Sequence, residues 1–106
     1  AKIYNERITN PRIILPTHLD DKQNVYHIYP VLCDQRDSLQ AYLEQHGVQT
    51  IIHYPIPPHK QECYSQWNHL SLPITEQIHQ QELSLPMSQA MTQEEAQEVV
   101  RIINAY

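Results

Sequence analysis

Apolar residues recur along this chain with two periods, and the switches between them mark out its elements. Leu39, Tyr42, Leu43 and His46 stand at i, i+3, i+4 and i+7, one face of a 3.6-residue repeat, which predicts a helix over 34–46. Asp34 is the expected N-cap, and Gly47, the only glycine, is the expected left-handed C-terminal cap. Ahead of this helix, Val25, His27, Tyr29 and Val31 alternate with Tyr26, Ile28, Pro30 and Leu32. The β-branched and aromatic residues predict a strand over 25–33. Pro30 has no N–H to give to a ladder, so that strand lies at an edge or carries a bulge. Residues 48–52, directly after Gly47, read as a buried strand. The resulting strand–helix–strand unit makes either a right-handed parallel crossover or part of a split α+β sheet.

The flanking segments follow the same logic. Ile3, Tyr4 and Ile8 fall at helical spacing, and the chain opens without methionine, so 1–9 reads as the end of a helix from a longer chain, stopped by Asn10-Pro11. Residues 13–15 form a short strand or extended entry, and 18–24 read as a polar loop. Residues 61–67 suit a short helical turn. Pro73 suits the first turn of a helix that gives way near Glu82 to a strand over 83–86. Thr92-Gln93-Glu94-Glu95 has the form of a capping box, with Met91 placed to staple against Ala96. Ala96, Val99, Val100 and Ile103 form the apolar stripe of the last helix. The expected fold is α+β: a small, mostly antiparallel sheet of about three strands with helices packed mainly on one face.

Composition narrows the function by exclusion. At 106 residues, 41% of them hydrophobic and 18% charged, the chain has the makings of one ordered domain. A net charge of −5 and the lack of any Lys/Arg run leave no basic surface for nucleic acid or an anionic membrane. No apolar run has the length of a membrane span, and no signal peptide opens the chain. Cys33 and Cys63 form no C-x-x-C pair and are expected as free thiols in a reducing compartment, Cys33 as a small apolar residue at a strand end.

The candidate chemistry is concentrated in residues 50–64, T-I-I-H-Y-P-I-P-P-H-K-Q-E-C-Y. His53, Tyr54, His59 and Tyr64 sit on a segment stiffened by Pro55, Pro57 and Pro58, which predicts an extended arm leaving the sheet. Imidazoles and phenols on a stiff arm make polar contacts to a ligand at low entropic cost; the alternative is a packing role with their polar atoms satisfied. His53, His59 and Cys63 spell H-x5-H-x3-C, but a fourth zinc ligand is missing, so no metal is expected. Cys63 lacks the context of a nucleophile, and a single glycine excludes a Gly-rich phosphate loop. His27 reads as a half-buried strand histidine, and His46 and His79 as surface or helix-face residues.

G-V-Q-T-I-I-H-Y-P-I-P-P-H-K-Q-E-C-Y, residues 47–64, resembles the small-domain segment of the DegT/DnrJ/EryC1/StrS sugar aminotransferases. Tyr4-Asn5-Glu6 resembles the end of that family's interdomain helix, and Val25-Tyr26-His27-Ile28-Tyr29 its first small-domain strand. Arg36-Asp37-Ser38-Leu39 through Gly47 resembles its helix. Leu83-Ser84-Leu85-Pro86-Met87 with 92–103 resembles its last strand and helix. Pro58, where many relatives have leucine, and Pro30 depart from the pattern.

The resemblance implies a fold type I enzyme that uses pyridoxal 5′-phosphate to move an amino group, commonly from glutamate, to a nucleotide-linked keto-sugar. It further implies a cytoplasmic homodimer at full length. The large domain and its Schiff-base lysine have no counterpart here, since Lys2, Lys22 and Lys60 lie in no matching context. Residues 1–106 are therefore expected to be the C-terminal small domain, inactive and without cofactor when alone. Carried over by position, His53 and Tyr54 face the sugar and cofactor region, and His59 and Tyr64 shape or line the same cleft. The alternative is a stand-alone module binding a carbohydrate or peptide through the His/Tyr/Pro arm, which an upstream lysine-bearing large domain in the reading frame would exclude.

Overall fold

The computed structural model describes residues 1–17 and 24–106, so all of the expected polar loop but Asn24 lies outside the described residues. Strands β1 (Tyr29–Leu32) and β2 (Glu82–Leu85) pair antiparallel, with Tyr29 opposite Leu85 and Val31 opposite Leu83. Single-residue bridges extend the sheet on both sides, Ile14 to Leu32 and Ile51 to Ser84, both antiparallel. The order is thus Ile14, β1, β2, Ile51. β1 and the segment at Ile51 run parallel with β2 between them and are joined through helix α2 (Arg36–Gln45). Of the two arrangements open to the strand–helix–strand unit, this is the split one.

Helix α1 (Lys2–Arg7), α2 and the C-terminal helix α4 (Gln93–Asn104) enclose the core with one face of the sheet, while α3 (Pro73–Gln81) leads straight into β2. Tyr4, Tyr29, Val31, Leu39, Leu43, Leu83 and Ile103 are fully buried there, joined by Val99 and Val100. The fold is α+β with a small antiparallel sheet, of two strands and two bridges where about three strands were expected.

The C-terminal end of α2 follows its sequence signal, whereas its N-cap and the end of α1 do not. Gly47 has φ +78°, and the Gly47 N–H donates to Glu44 O at 3.0 Å while the Val48 N–H donates to Leu43 O at 2.9 Å. This is the paired-bond Schellman closure, with Leu43 and Val48 both buried in the core. Asp34 is not the cap of α2: Gln35 occupies that place without a side-chain bond, and the Asp34 carboxylate instead accepts from Gln81 Nε2. Helix α1 stops at Arg7, before Asn10-Pro11, because Asn104 binds its end. Asn104 Nδ2 donates to Arg7 O at 2.8 Å, and its Oδ1 accepts the Thr9 N–H at 2.8 Å.

Three expected strands are shorter in the structure. The strand over 25–33 begins only at Tyr29: the Tyr26 N–H donates to Asn24 Oδ1 at 2.9 Å and Tyr26 turns to φ +48°, a local side-chain turn that competes with the ladder. His27 is consequently exposed and outside the strand, and Val25 is 90% exposed. Pro30 is tolerated because it lies opposite Ser84, whose own N–H and carbonyl both face Ile51, away from β1. Residues 13–15 and 48–52 each contribute one bridge. In the second case the next ladder pair would be His53 with Glu82. There the Glu82 carbonyl accepts from Arg36 Nη1 (3.2 Å), and the His53 N–H is taken by the Glu82 carboxylate.

The capping box forms as expected, with the Glu95 N–H donating to Thr92 Oγ1 at 3.2 Å and the Thr92 N–H to Glu95 Oε2 at 2.7 Å. Thr92→Ala should lower stability by about 1 kcal/mol, seen as a lower urea midpoint at unchanged slope. An unmoved midpoint would show that water replaces the cap at no cost.

Candidate functional site

Glu82 and Ser84 alternate with the core residues Leu83 and Leu85 and therefore occupy the opposite face of β2. They are nevertheless only 4% and 5% exposed, because the chain at His53 lies against them. The His53 N–H donates to Glu82 Oε2 at 2.7 Å, the Ser84 hydroxyl donates to Glu82 Oε1 at 2.6 Å, and His53 Nδ1 lies 2.8 Å from Ser84 Oγ. A buried carboxylate needs such donors, since each unmet lone pair would carry a desolvation cost. Arg36, its side chain 11% exposed, seals the junction of α3 and β2 by donating to His79 O (3.3 Å) and Glu82 O.

His53 and Tyr54 are brought together, their rings edge to face at 5.5 Å. The His53 ring is half-buried and the Tyr54 phenol is 63% exposed. Their connecting peptide bond is cis. His79 on α3 fixes the turn by its Nδ1 contact with Tyr54 O.

The arm is not extended beyond Pro57. Pro58 occupies the first position of a 3-10 turn (Pro58–Lys60), where its fixed φ is suitable and its missing N–H costs nothing. A second 3-10 stretch (Glu62–Trp67) follows. Lys60 Nζ donates to Asn68 O (2.9 Å) and Leu70 O (2.8 Å), and Asn68 Nδ2 donates back to His59 O (2.9 Å), which closes residues 59–70 into a ring.

His59 and Tyr64 occupy different places from His53. His59 is buried, with Nε2 2.8 Å from Glu76 Oε1 on α3. The Leu72 N–H, followed by His59, holds the Glu76 carboxyl below the usual carboxylate range. Tyr64 is 40% exposed and stacks on Trp67 at 5.0 Å between ring centres. His59 thus anchors the arm to α3, and Tyr64 forms part of its outer surface.

Among the described residues no three His, Cys, Asp or Glu side chains converge. His53 is engaged by Ser84, His59 by Glu76, and the exposed Cys63 lies beside Gln61. Lys60 is held by two carbonyls, Lys2 stands exposed on α1 next to Glu6, and Lys22 lies outside the described residues. What the arrangement offers is a wall: an oriented imidazole beside an exposed phenol.

Sequence reasoning selected His53 and Tyr54 but missed Glu82, Ser84 and Arg36. The usable signal was the alternation in Glu82-Leu83-Ser84-Leu85, which sets the polar pair on a face of its own.

The comparisons agree with this architecture. The chain is 50% identical over all 106 residues to the dTDP-3-amino-3,6-dideoxy-α-D-galactopyranose transaminase of Aneurinibacillus thermoaerophilus, of which it covers 29%. It is 34% identical over 97 residues to the dTDP-3-amino-3,4,6-trideoxy-α-D-glucose transaminase of Streptomyces venezuelae, matching 90% of this chain and 25% of that one. Among solved structures, S. venezuelae DesV in complex with a ketimine intermediate superposes with a TM-score of 0.88 at 29% identity, over 98% of this chain and 29% of that one. Bacillus subtilis NtdA with bound cofactor PMP superposes with a TM-score of 0.79 at 30% identity, over 96% and 24%. The chain therefore spans less than a third of the length of these relatives. The DegT/DnrJ/EryC1/StrS aminotransferase family matches residues 1–104, and the chain belongs to that family.

Proposed function

We propose that these residues are the C-terminal small domain of a pyridoxal-phosphate-dependent aminotransferase that aminates a nucleotide-linked keto-sugar, with glutamate as amino donor. The observation that carries this reading is the half-buried His53, its ring pinned to Ser84, with the open Tyr54 phenol beside it. The transaminases of dTDP-linked amino sugars among the relatives support the substrate class. Family membership displaces the stand-alone binding module as the account of the arm.

In this reading His53 and Tyr54 touch the sugar, and His59 and Tyr64 shape the cleft by holding and facing the arm. The cofactor, its lysine and the proton transfers at the reacting carbon belong to parts of the enzyme outside these 106 residues. The work of this chain is to bind and orient, and a homodimer in the cytoplasm is the expected setting.

His53→Asn in the full-length enzyme is the test. Losing one hydrogen bond to the transition state should cost about 1–3 kcal/mol, roughly 10- to 100-fold in kcat/KM, with melting temperature and cofactor spectrum unchanged. Full activity would show that His53 only packs. Loss of folding would assign it a structural role.

A further inference from the structure

The directions of the hydrogen bonds linking Glu82, Ser84 and His53 follow from counting protons. An ionised carboxylate only accepts. Glu82 uses one oxygen for the His53 N–H and the other for the Ser84 hydroxyl proton. A serine has a single proton to give, so Ser84 Oγ can meet His53 Nδ1 only as an acceptor. Nδ1 therefore carries the imidazole proton, and in the neutral ring Nε2 is left with a lone pair. His53 is bonded through its main-chain N and through Nδ1, which leaves Nε2 for a ligand. The burial of Glu82 and Ser84 keeps water from scrambling this order.

We propose that Glu82 and Ser84 are positioning residues: they fix the Nδ1–H tautomer of His53, so that Nε2 accepts a hydrogen bond from a hydroxyl of the sugar and disfavours acceptor-only groups such as the keto oxygen. This rests on the reading of His53 as a substrate contact. A hydroxyl-bearing carbon, not the carbon being aminated, then lies against His53.

Glu82→Gln provides a sharp test. The amide oxygen keeps the His53 N–H, which puts the NH₂ group on Ser84; the serine must then turn its proton to Nδ1, and the tautomer reverses. Long-range ¹H–¹⁵N spectra of the labelled 106-residue chain at about pH 8.5, above the usual histidine range, report which ring nitrogen is protonated. The His53 signals are identified by their loss in His53→Asn. The expected result is Nδ1–H in the wild type and Nε2–H in E82Q. Ser84→Ala, as a second variant, should lose the Nδ1–H preference. A wild-type Nε2–H tautomer, or an Nδ1–H form that survives both substitutions, overturns the proposal.

In the full-length enzyme E82Q should lower kcat/KM roughly tenfold but add nothing to His53→Asn, since the two act through one contact. Equal losses in both backgrounds would show that Glu82 acts independently of His53 and overturn the positioning role. A fully active His53→Asn enzyme with the tautomers as expected would sink the substrate reading alone.

Discussion

Leu43→Ala should destabilise the chain by about 2–5 kcal/mol, a large share of the ~5–15 kcal/mol that holds a domain together. Leu43 is 0% exposed and serves two structures at once: it fills the core under the sheet, and its carbonyl receives the Val48 N–H in the closure of α2. Alanine keeps the main-chain bond but empties part of the core that Leu43 shares with Val48, and Val48 begins the segment that reaches Ile51 and His53. Urea unfolding followed by circular dichroism measures the loss. A change below about 1 kcal/mol would show that the core collapses around the missing side chain.

The 106 residues alone, supplied with pyridoxal phosphate, glutamate and a keto-sugar nucleotide, should yield no aminated product and no imine absorbance from the cofactor. Lys60 is tied to two carbonyls within the arm and Lys2 stands exposed on α1, so neither offers an amine in a cofactor pocket. Mixing these residues with a separately produced lysine-bearing large domain would be expected to restore whatever activity the interface allows. Turnover by the isolated chain, abolished by replacing one of its own lysines, would refute this.

Elements whose signals are local were legible in the sequence. Gly47, the Thr92–Glu95 box, Pro73 and the stripe of α4 each depend on neighbours within one or two turns, and each appears as read. The misread strands ended where a side chain competed for the backbone groups of the ladder. The first strand lost its front half to the Asn24–Tyr26 turn, and the ladder after Ile51 stopped because Arg36 takes the Glu82 carbonyl from across the fold. Neither competitor is visible in periodicity. The site divides in the same way. His53 and Tyr54 stood out beside the prolines, whereas Glu82 read as the end of a helix and Ser84 as one residue of the strand over 83–86, because their burial depends on a chain that crosses from 29 residues away. His59 stood out beside the same prolines, but its partner Glu76 lies on the next helix and was not legible.

The imidazole of His53 takes its position from β2, through Ser84 and Glu82, while the main chain of Tyr54 takes its position from α3, through His79. Two adjacent side chains thus take their positions from different elements, which Arg36 joins at their junction. A change on the outer side of α3, where Ile74 and Ile78 are exposed, reaches the phenol through His79 directly, and the imidazole only through the junction that Arg36 seals. The wall is more adjustable on one side than the other: the rim that admits a ligand is retuned more directly than the group that orients it.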